Sequence, residues 1–142
     1  MDKDRVEALA IAVRRAIELC DPTELPWQHF PRGACGDTAL ILGQVLHEAG
    51  ITGFEYICGN KYNENGACSS HAWLRNGEWI VDITADQFAD IDVPVTVTRN
   101  SEWHDQWEQD RPTPSTLQAY GTQVPQLWRL FSILKPRLEL CE

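Results

Sequence analysis

The first twenty positions carry apolar residues every three to four places. Between Asp4 and Leu19 these side chains form one stripe, and the charged residues lie mostly off it. The stretch 20–26 then contains two prolines, which cannot continue a helix. The pattern predicts an amphipathic helix over 4–19, followed by a loop.

A second helical pattern begins at Cys35. Gly33 interrupts the approach, apolar residues recur at a spacing near 3.6 from Ala39 to Leu46, and Gly50 suits the end of a helix. The pattern predicts a loop feeding the N-terminus of a central helix, with Cys35 at the junction. A thiol there meets unsatisfied N–H groups and the positive end of the helix dipole, which favour the thiolate. The alternative is a small buried cysteine without chemistry.

The middle of the chain has the features of antiparallel strands. Aromatic and β-branched residues alternate with polar ones, and the Asn76-Gly77 pair between two such runs is a strong hairpin signal. The predicted strands are 53–59, 71–75, 78–84 and 94–98, with a polar loop over 60–70. Because these strands follow one another by hairpin, the fold class that we predict is α+β, with helices packed on a small antiparallel sheet.

The last third is less regular. The stretch 99–121 is polar and contains proline, with Trp103 and Trp107 four residues apart, and its pattern fits a short helix as well as a covering loop. The stretch 125–140 has a helical apolar stripe ahead of Pro136, which predicts a closing helix. No repeat or linker divides the chain, so we expect one domain over 1–142.

Charge and cysteine usage limit the partners and the compartment. With 12 basic and 21 acidic residues the net charge is −9, which disfavours nucleic acid and anionic membrane as partners. We therefore expect a monomer, and the acidic surface weakly favours a basic protein as its partner. Five irregularly spaced cysteines favour a reducing, cytoplasmic compartment. A toxin or effector exported without a cleaved signal would look the same.

The apolar runs and the N-terminal residues add expectations about targeting. No apolar run reaches the length of a membrane span, and the first five residues lack the layout of a signal peptide. We therefore expect the mature chain to start at Met1.

His71 and Asp82 are placed symmetrically about the predicted hairpin turn. His71 lies five residues before Asn76, and Asp82 lies five after Gly77. A two-residue turn there would set the two side chains opposite each other, and a carboxylate beside an imidazole orients the ring and stabilises the imidazolium. If the strands pack on the central helix, Cys35 supplies the nucleophile for this pair.

Two other interpretations of these residues stand beside the first. His71 and Asp82 are also compatible with a satisfied sheet histidine and a cap near a turn. Alternatively, Cys68-Ser-Ser-His71 has the spacing of half a zinc site, which Cys35 or Cys58 could complete. No second half-site exists in the sequence, so we expect neither a metal nor another cofactor. The remaining histidines, His29, His47 and His104, are weaker candidates.

Three short motifs also resemble those of a known superfamily. Gly33-Ala-Cys35-Gly, His71-Ala-Trp73 and Val81-Asp82-Ile-Thr84 resemble the Cys, His-x-Trp and Asp-x-Thr motifs of the transglutaminase-like superfamily, a branch of the papain-like cysteine fold. The resemblance covers about residues 30–88. It implies a papain-like core in which Cys35 is the nucleophile, His71 the general base and acid, and Asp82 the residue that orients the imidazole.

The resemblance carries further expectations about the site. It implies a thioester with an acyl donor, commonly an amide, and transfer of the acyl group to water or an amine. Gln28 precedes Cys35 and is the candidate for the oxyanion hole, and Trp73 of the second motif is the candidate for substrate contact. Two departures are the short separation of eleven residues between His71 and Asp82, and an acid at Asp37 near the thiol.

The function that we predict from the sequence is a cysteine-dependent amide hydrolase or acyltransferase with a Cys-His-Asp triad. Protease, glutamine deamidase and transglutaminase remain open, because the same three groups serve all of them. The alternative from another class is a non-enzymatic interaction module whose exposed aromatic residues, Trp103 and Trp107, form a partner patch.

Overall fold

The computed structural model of the protein describes residues 1–139. The helices are α1 (Lys3–Glu18), α2 (Cys35–Glu48), α3 (Glu102–Asp105), α4 (Leu117–Tyr120) and α5 (Pro125–Glu139). The strands are β1 (Glu55–Tyr62), β2 (Cys68–Asn76), β3 (Trp79–Asp82), β4 (Thr96–Thr98), β5 (Glu108–Gln109) and β6 (Thr113–Pro114). Short 3-10 turns occupy Pro22–Glu24, Ala85–Gln87 and Gly121–Gln123.

The strands form one antiparallel sheet in the order β4-β3-β2-β1-β5, and β6 also pairs with β1. The predicted α+β class with a small antiparallel sheet is confirmed. Its finer part, a papain-like core, stays a prediction.

The two long predicted helices are confirmed within two residues. Asp2 caps α1 by accepting a hydrogen bond from the backbone N–H of Arg5. Beyond α2, Gly50 has a φ of 81°, the left-handed conformation that commonly ends a helix at glycine. No helix in the described part of the chain is both long and apolar enough to span a bilayer.

The two faces of the sheet carry different cores. Leu74 and Val81 belong to the main core, which they share with apolar residues of α1, α2 and α5. Trp73 and Ile80, one position away, face the other side and form a smaller cluster with Ile57 and Trp107. This alternation follows from the period of two in a strand. His71 and Asp82 share the parity of the smaller cluster, so their side chains lie on the face away from the main core.

The β2–β3 hairpin differs from the prediction in its register. Leu74 pairs with Val81 and Asn76 with Trp79, so the central turn residues are Gly77 and Glu78 rather than Asn76 and Gly77. Gly77 has a φ of 60°, and no non-glycine residue within 1–139 has a positive φ, as in a turn that needs glycine only at its first central position. His71 and Asp82 are therefore diagonal neighbours and not a directly opposed pair.

The predicted loop over 60–70 is also wrong in extent. β1 continues to Tyr62 and β2 begins at Cys68, which leaves only 63–67 as the connection. The side chain of Asn63 accepts hydrogen bonds from the backbone N–H groups of Asn65 and Ala67 and so closes the turn. The residues that extend the strands are polar, so the hydrophobic pattern did not reveal them.

The undecided stretch 99–121 consists of short elements that pass over the smaller cluster and return to α2. Ser115 packs against Gly43 of α2, where a Cβ would lie 1.8 Å from the Ser115 carbonyl oxygen. The backbone N–H of Gln118 donates to the side chain of Gln44. At the end of the chain, the predicted closing helix is confirmed as α5, which continues through Pro136 to Glu139. Leu140 and Cys141 lie outside the described residues.

A buried arginine fastens α1 to the segment that follows β3. Arg14 makes two hydrogen bonds to the carboxylate of Asp86, at 2.7 and 2.8 Å, and a third to the carbonyl of Ile83. Its Nε has no hydrogen-bond partner and lies 3.6 Å from the exposed carboxylate of Glu18. The segment after Asp82 is thus held in place by one buried charge.

Asp86→Ala should destabilise the fold strongly, because it leaves Arg14 buried without its counter-charge. The expected loss is about 3 to 5 kcal/mol in the free energy of unfolding. Glu18→Ala is the matched control, since it removes only the exposed partner of the same arginine and should cost less than about 1 kcal/mol. Urea unfolding followed by circular dichroism measures both, and equal effects would contradict the assigned role of the buried pair.

Candidate active site

Cys35 lies at the first position of α2 and next to β2. The side chain of His71 and the backbone N–H groups of Ala72 and Gly36 lie close enough to its thiol to stabilise the thiolate. Ala72 pairs with Cys58 on one side of β2, whereas β3 offers it no partner on the other. The end of β3 therefore leaves room for a thiol from the helix layer to reach a histidine on the other face of the sheet.

The surroundings of Cys35 favour the thiolate. Burial opposes ionisation, but the hydrogen bond and charge of His71, with the N–H groups of Ala72 and Gly36, outweigh it and lower the pKa of Cys35. Asp37, one of the two departures from the resembled pattern, accepts a hydrogen bond of 2.9 Å from the indole of Trp27. Its carboxylate is thus engaged by the loop before α2.

His71 is fully buried and bonded at both ring nitrogens. Nε2 lies 2.7 Å from Oδ2 of Asp82, and Nδ1 lies 3.2 Å from the side-chain nitrogen of Gln87. Burial disfavours the imidazolium, but the hydrogen bonds and charges of Asp82 and Cys35 prevail and raise the pKa of His71 to about 9. Since Nε2 is engaged by Asp82, Nδ1 is the nitrogen that remains for the thiol. An amide nitrogen only donates, so Gln87 bonds Nδ1 while His71 is neutral and releases it in the imidazolium.

Asp82 has more donors than the sequence suggested. Its Oδ1 accepts the backbone N–H of Thr84 at 3.0 Å, while its Oδ2 accepts from both His71 and His104 at 2.7 Å. Burial favours the protonated acid, but the two histidines dominate and lower the pKa of Asp82. The carboxylate is therefore charged and fixed by three donors.

His104 is the functional candidate that sequence reasoning underrated. It is 2 % exposed, lies in α3 and contacts the same Oδ2 of Asp82 as His71 does. The hydroxyl of Ser101 caps α3 by accepting the backbone N–H of His104 and also bonds the ring at Nδ1. Serine is a common N-cap residue, so Ser101 is a signal for the start of α3. No spacing in the sequence links His104 to Asp82.

Four aromatic side chains enclose the His71 ring. Trp73, Phe88, Trp103 and Trp107 have ring centroids 5.2 to 5.8 Å from it. Trp73 is 1 % exposed and packs against both histidines, and its contact with substrate stays a prediction. Trp107 is 4 % exposed, so the expected exposed patch of Trp103 and Trp107 is wrong in its second member.

Gln28, the expected oxyanion-hole residue, is exposed in the loop before α2, and its role stays a prediction. Sequence reasoning missed Tyr56, whose hydroxyl approaches the backbone of Gly36. A Cβ at Gly36 would lie 2.8 Å from this hydroxyl. Burial, with the neighbouring Cys58 and Cys35, raises the pKa of Tyr56, which therefore stays protonated and able to donate.

The zinc half-site does not form. Cys68 and His71 are three residues apart in β2, so their side chains leave opposite faces of the sheet, and Cys68 is exposed. Among the described residues, the cluster that could hold a cation is His71, Asp82 and His104. Its separations of 2.7 Å are those of charge-assisted hydrogen bonds, whereas ligands about 2.0 Å from a common metal stand farther apart.

The environment of Cys35 predicts selective alkylation. At pH 6, iodoacetamide should modify Cys35 at least about tenfold faster than Cys20 or Cys58, because burial raises the pKa of those two thiols. Peptide mass spectrometry of a quenched time course measures the rates. His71→Ala should abolish the preference, and equal rates in the unmodified protein would contradict a thiolate at Cys35.

Comparisons with known proteins leave the family open. No protein-family model, curated protein or solved structure matches the chain. The resemblance to the transglutaminase-like superfamily therefore rests on the three motifs.

Proposed function

We propose that the protein is a cysteine-dependent amide hydrolase or acyltransferase that acts on a protein or peptide through a thioester. The observation that carries the proposal is the buried His71–Asp82 pair, joined at 2.7 Å, next to a thiol at a helix start whose pKa the same histidine lowers. A helix-start thiol, an imidazole and an orienting carboxylate are the three groups that thiol acyl transfer requires.

The first half of the proposed reaction forms the thioester. The Cys35 thiolate attacks the carbonyl carbon of the amide, a C–S bond forms, and the carbonyl electrons move to oxygen. When this intermediate collapses, the C–N bond breaks and the leaving amine takes the proton from Nδ1 of His71. Asp82 holds Nε2 and stabilises the imidazolium during these steps.

The oxyanion can be stabilised at the start of α2. The backbone N–H groups there and the protonated hydroxyl of Tyr56 near Gly36 are donors at the place where negative charge develops. In the second half, His71 removes a proton from water or an amine, which attacks the thioester and releases the Cys35 thiolate. The same residues serve hydrolysis, deamidation and transamidation, and the access of water or amine decides between them.

The rival interaction module has lost support. Its patch required exposed indoles at Trp103 and Trp107, but Trp107 is buried and Trp103 packs against His71 and His104. These aromatic residues surround the candidate active site instead of a partner surface.

An activated ester tests the nucleophile without knowledge of the substrate. With p-nitrophenyl acetate, the protein should release a burst of nitrophenol and carry one acetyl group on Cys35, visible by intact and peptide mass spectrometry and removable with hydroxylamine. Cys35→Ala should lose the burst and keep the fold, because the change creates little cavity. Cys68→Ala is the matched control and should react normally. An acetyl group on another cysteine would overturn the proposal.

Asp82→Asn tests the third member of the proposed Cys35–His71–Asp82 triad. The amide cannot supply the charge that stabilises the His71 imidazolium, so we expect kcat for ester turnover to fall by roughly 10 to 10³-fold per folded molecule. The folded fraction is measured on the same preparation by near-ultraviolet circular dichroism. A destabilised variant with full turnover per folded molecule would remove Asp82 from the mechanism.

A further inference from the structure

Behind the Cys35–His71–Asp82 series lies a second histidine that the proposed mechanism does not use. Nε2 of His104 is 2.7 Å from the same Oδ2 of Asp82 that accepts from His71. His104 is buried and comes from α3, outside the motif-bearing stretch 30–88. The arrangement joins three parts of the chain at one carboxylate oxygen.

The hydrogen bonds define which tautomer His104 adopts. A charged carboxylate only accepts, so Nε2 of His104 carries the hydrogen that points at Asp82. In neutral His104, Nδ1 then has a lone pair and accepts the hydroxyl hydrogen of Ser101. The same hydroxyl oxygen accepts the backbone N–H of His104 at 3.1 Å. Ser101 thus caps α3 and holds the ring with its donor toward Asp82.

We propose that His104 is a positioning residue for the catalytic pair, holding the Asp82 carboxylate ionised and oriented so that His71 is aligned with Cys35. The inference rests on the proposed function, since it assigns His104 a role in presenting the Cys35 thiolate. His104 acts through Asp82 and touches neither the thiol nor the reacting carbonyl.

The neighbours of the cluster leave few other charges to consider. The titratable groups of the series itself are Cys35 from α2, His71 from β2 and Asp82 from β3. Around it, Tyr56 lies near Cys35, Lys61 lies over the ring of Trp107, and Asp90 accepts from the indole of Trp103. The rings packed around the two histidines are Trp73, Phe88, Trp103 and Trp107. A change in pH response after substitution of His104 therefore reports on the Asp82–His71–Cys35 series.

The test follows the rate of Cys35 alkylation by iodoacetamide against pH, which requires no substrate. His104→Leu should move the acid limb of this profile up by about one pH unit, an approximately tenfold loss of rate at pH 6. His104→Gln, which keeps an N–H donor, should recover at least half of the shift. In the Asp82→Asn background, His104→Leu should cause no further shift, because the route through the carboxylate is already lost.

Ser101→Ala provides a milder variant with a matched control. It removes both the cap of α3 and the hydroxyl that fixes the His104 tautomer, whereas Thr116→Ala removes only the equivalent cap of α4. Both should lower the thermal midpoint, but Ser101→Ala alone should shift the acid limb.

A purely structural role for His104 predicts different results. The proposal is overturned if Ser101→Ala and Thr116→Ala leave the same pH profile, or if His104→Leu shifts the profile equally with and without Asp82. Failure of the thioester assay with a normal His104 dependence of alkylation would instead overturn the proposed function, so the two failures are distinguishable.

Discussion

The buried carboxylate of Asp82 is the constraint on which the candidate site depends. A charge this deeply buried persists only when donors compensate for the lost water, and three donors from separate parts of the chain do so. Each hydrogen bond also positions the element that carries the donor. Thr84 holds the chain where it leaves β3, His71 holds the part of β2 that extends beyond β3, and His104 holds α3. One ionised group therefore orders both the local fold and the candidate site.

Residues far from this carboxylate in the sequence hold its surroundings in place. Arg14 holds the segment after β3 from the side of α1, and Gly43 lets the segment 99–121 pack closely on α2. The smaller cluster then covers His71, because its member Trp107 packs against the His71 ring. The site is thus assembled from the first helix and the last third as well as from the motif-bearing stretch, which explains why its environment is largely buried.

Sequence patterns predicted the parts of this structure that depend on local periodicity. The apolar stripes located α1, α2 and α5, and the hairpin brought His71 and Asp82 onto one face of the sheet. The contact of His104 with Asp82 joins a residue of the polar stretch 99–121 to one 22 positions earlier, and no local spacing encodes such a contact. The burial of Trp107 was equally invisible, because an aromatic residue in a polar sequence fits a surface patch as well as a second small core.

The register of the β2–β3 hairpin has a consequence for how its turn can vary. The observed register differs by two residues from the symmetrical one, and the histidine and the acid still meet, because a shift of two preserves the face from which each side chain projects. A shift of one would instead send the carboxylate among the aliphatic residues of the helical layer. Changes of this turn that alter the strand register are therefore subject to a parity rule: an even shift keeps the two side chains on one face of the sheet, and an odd shift separates them.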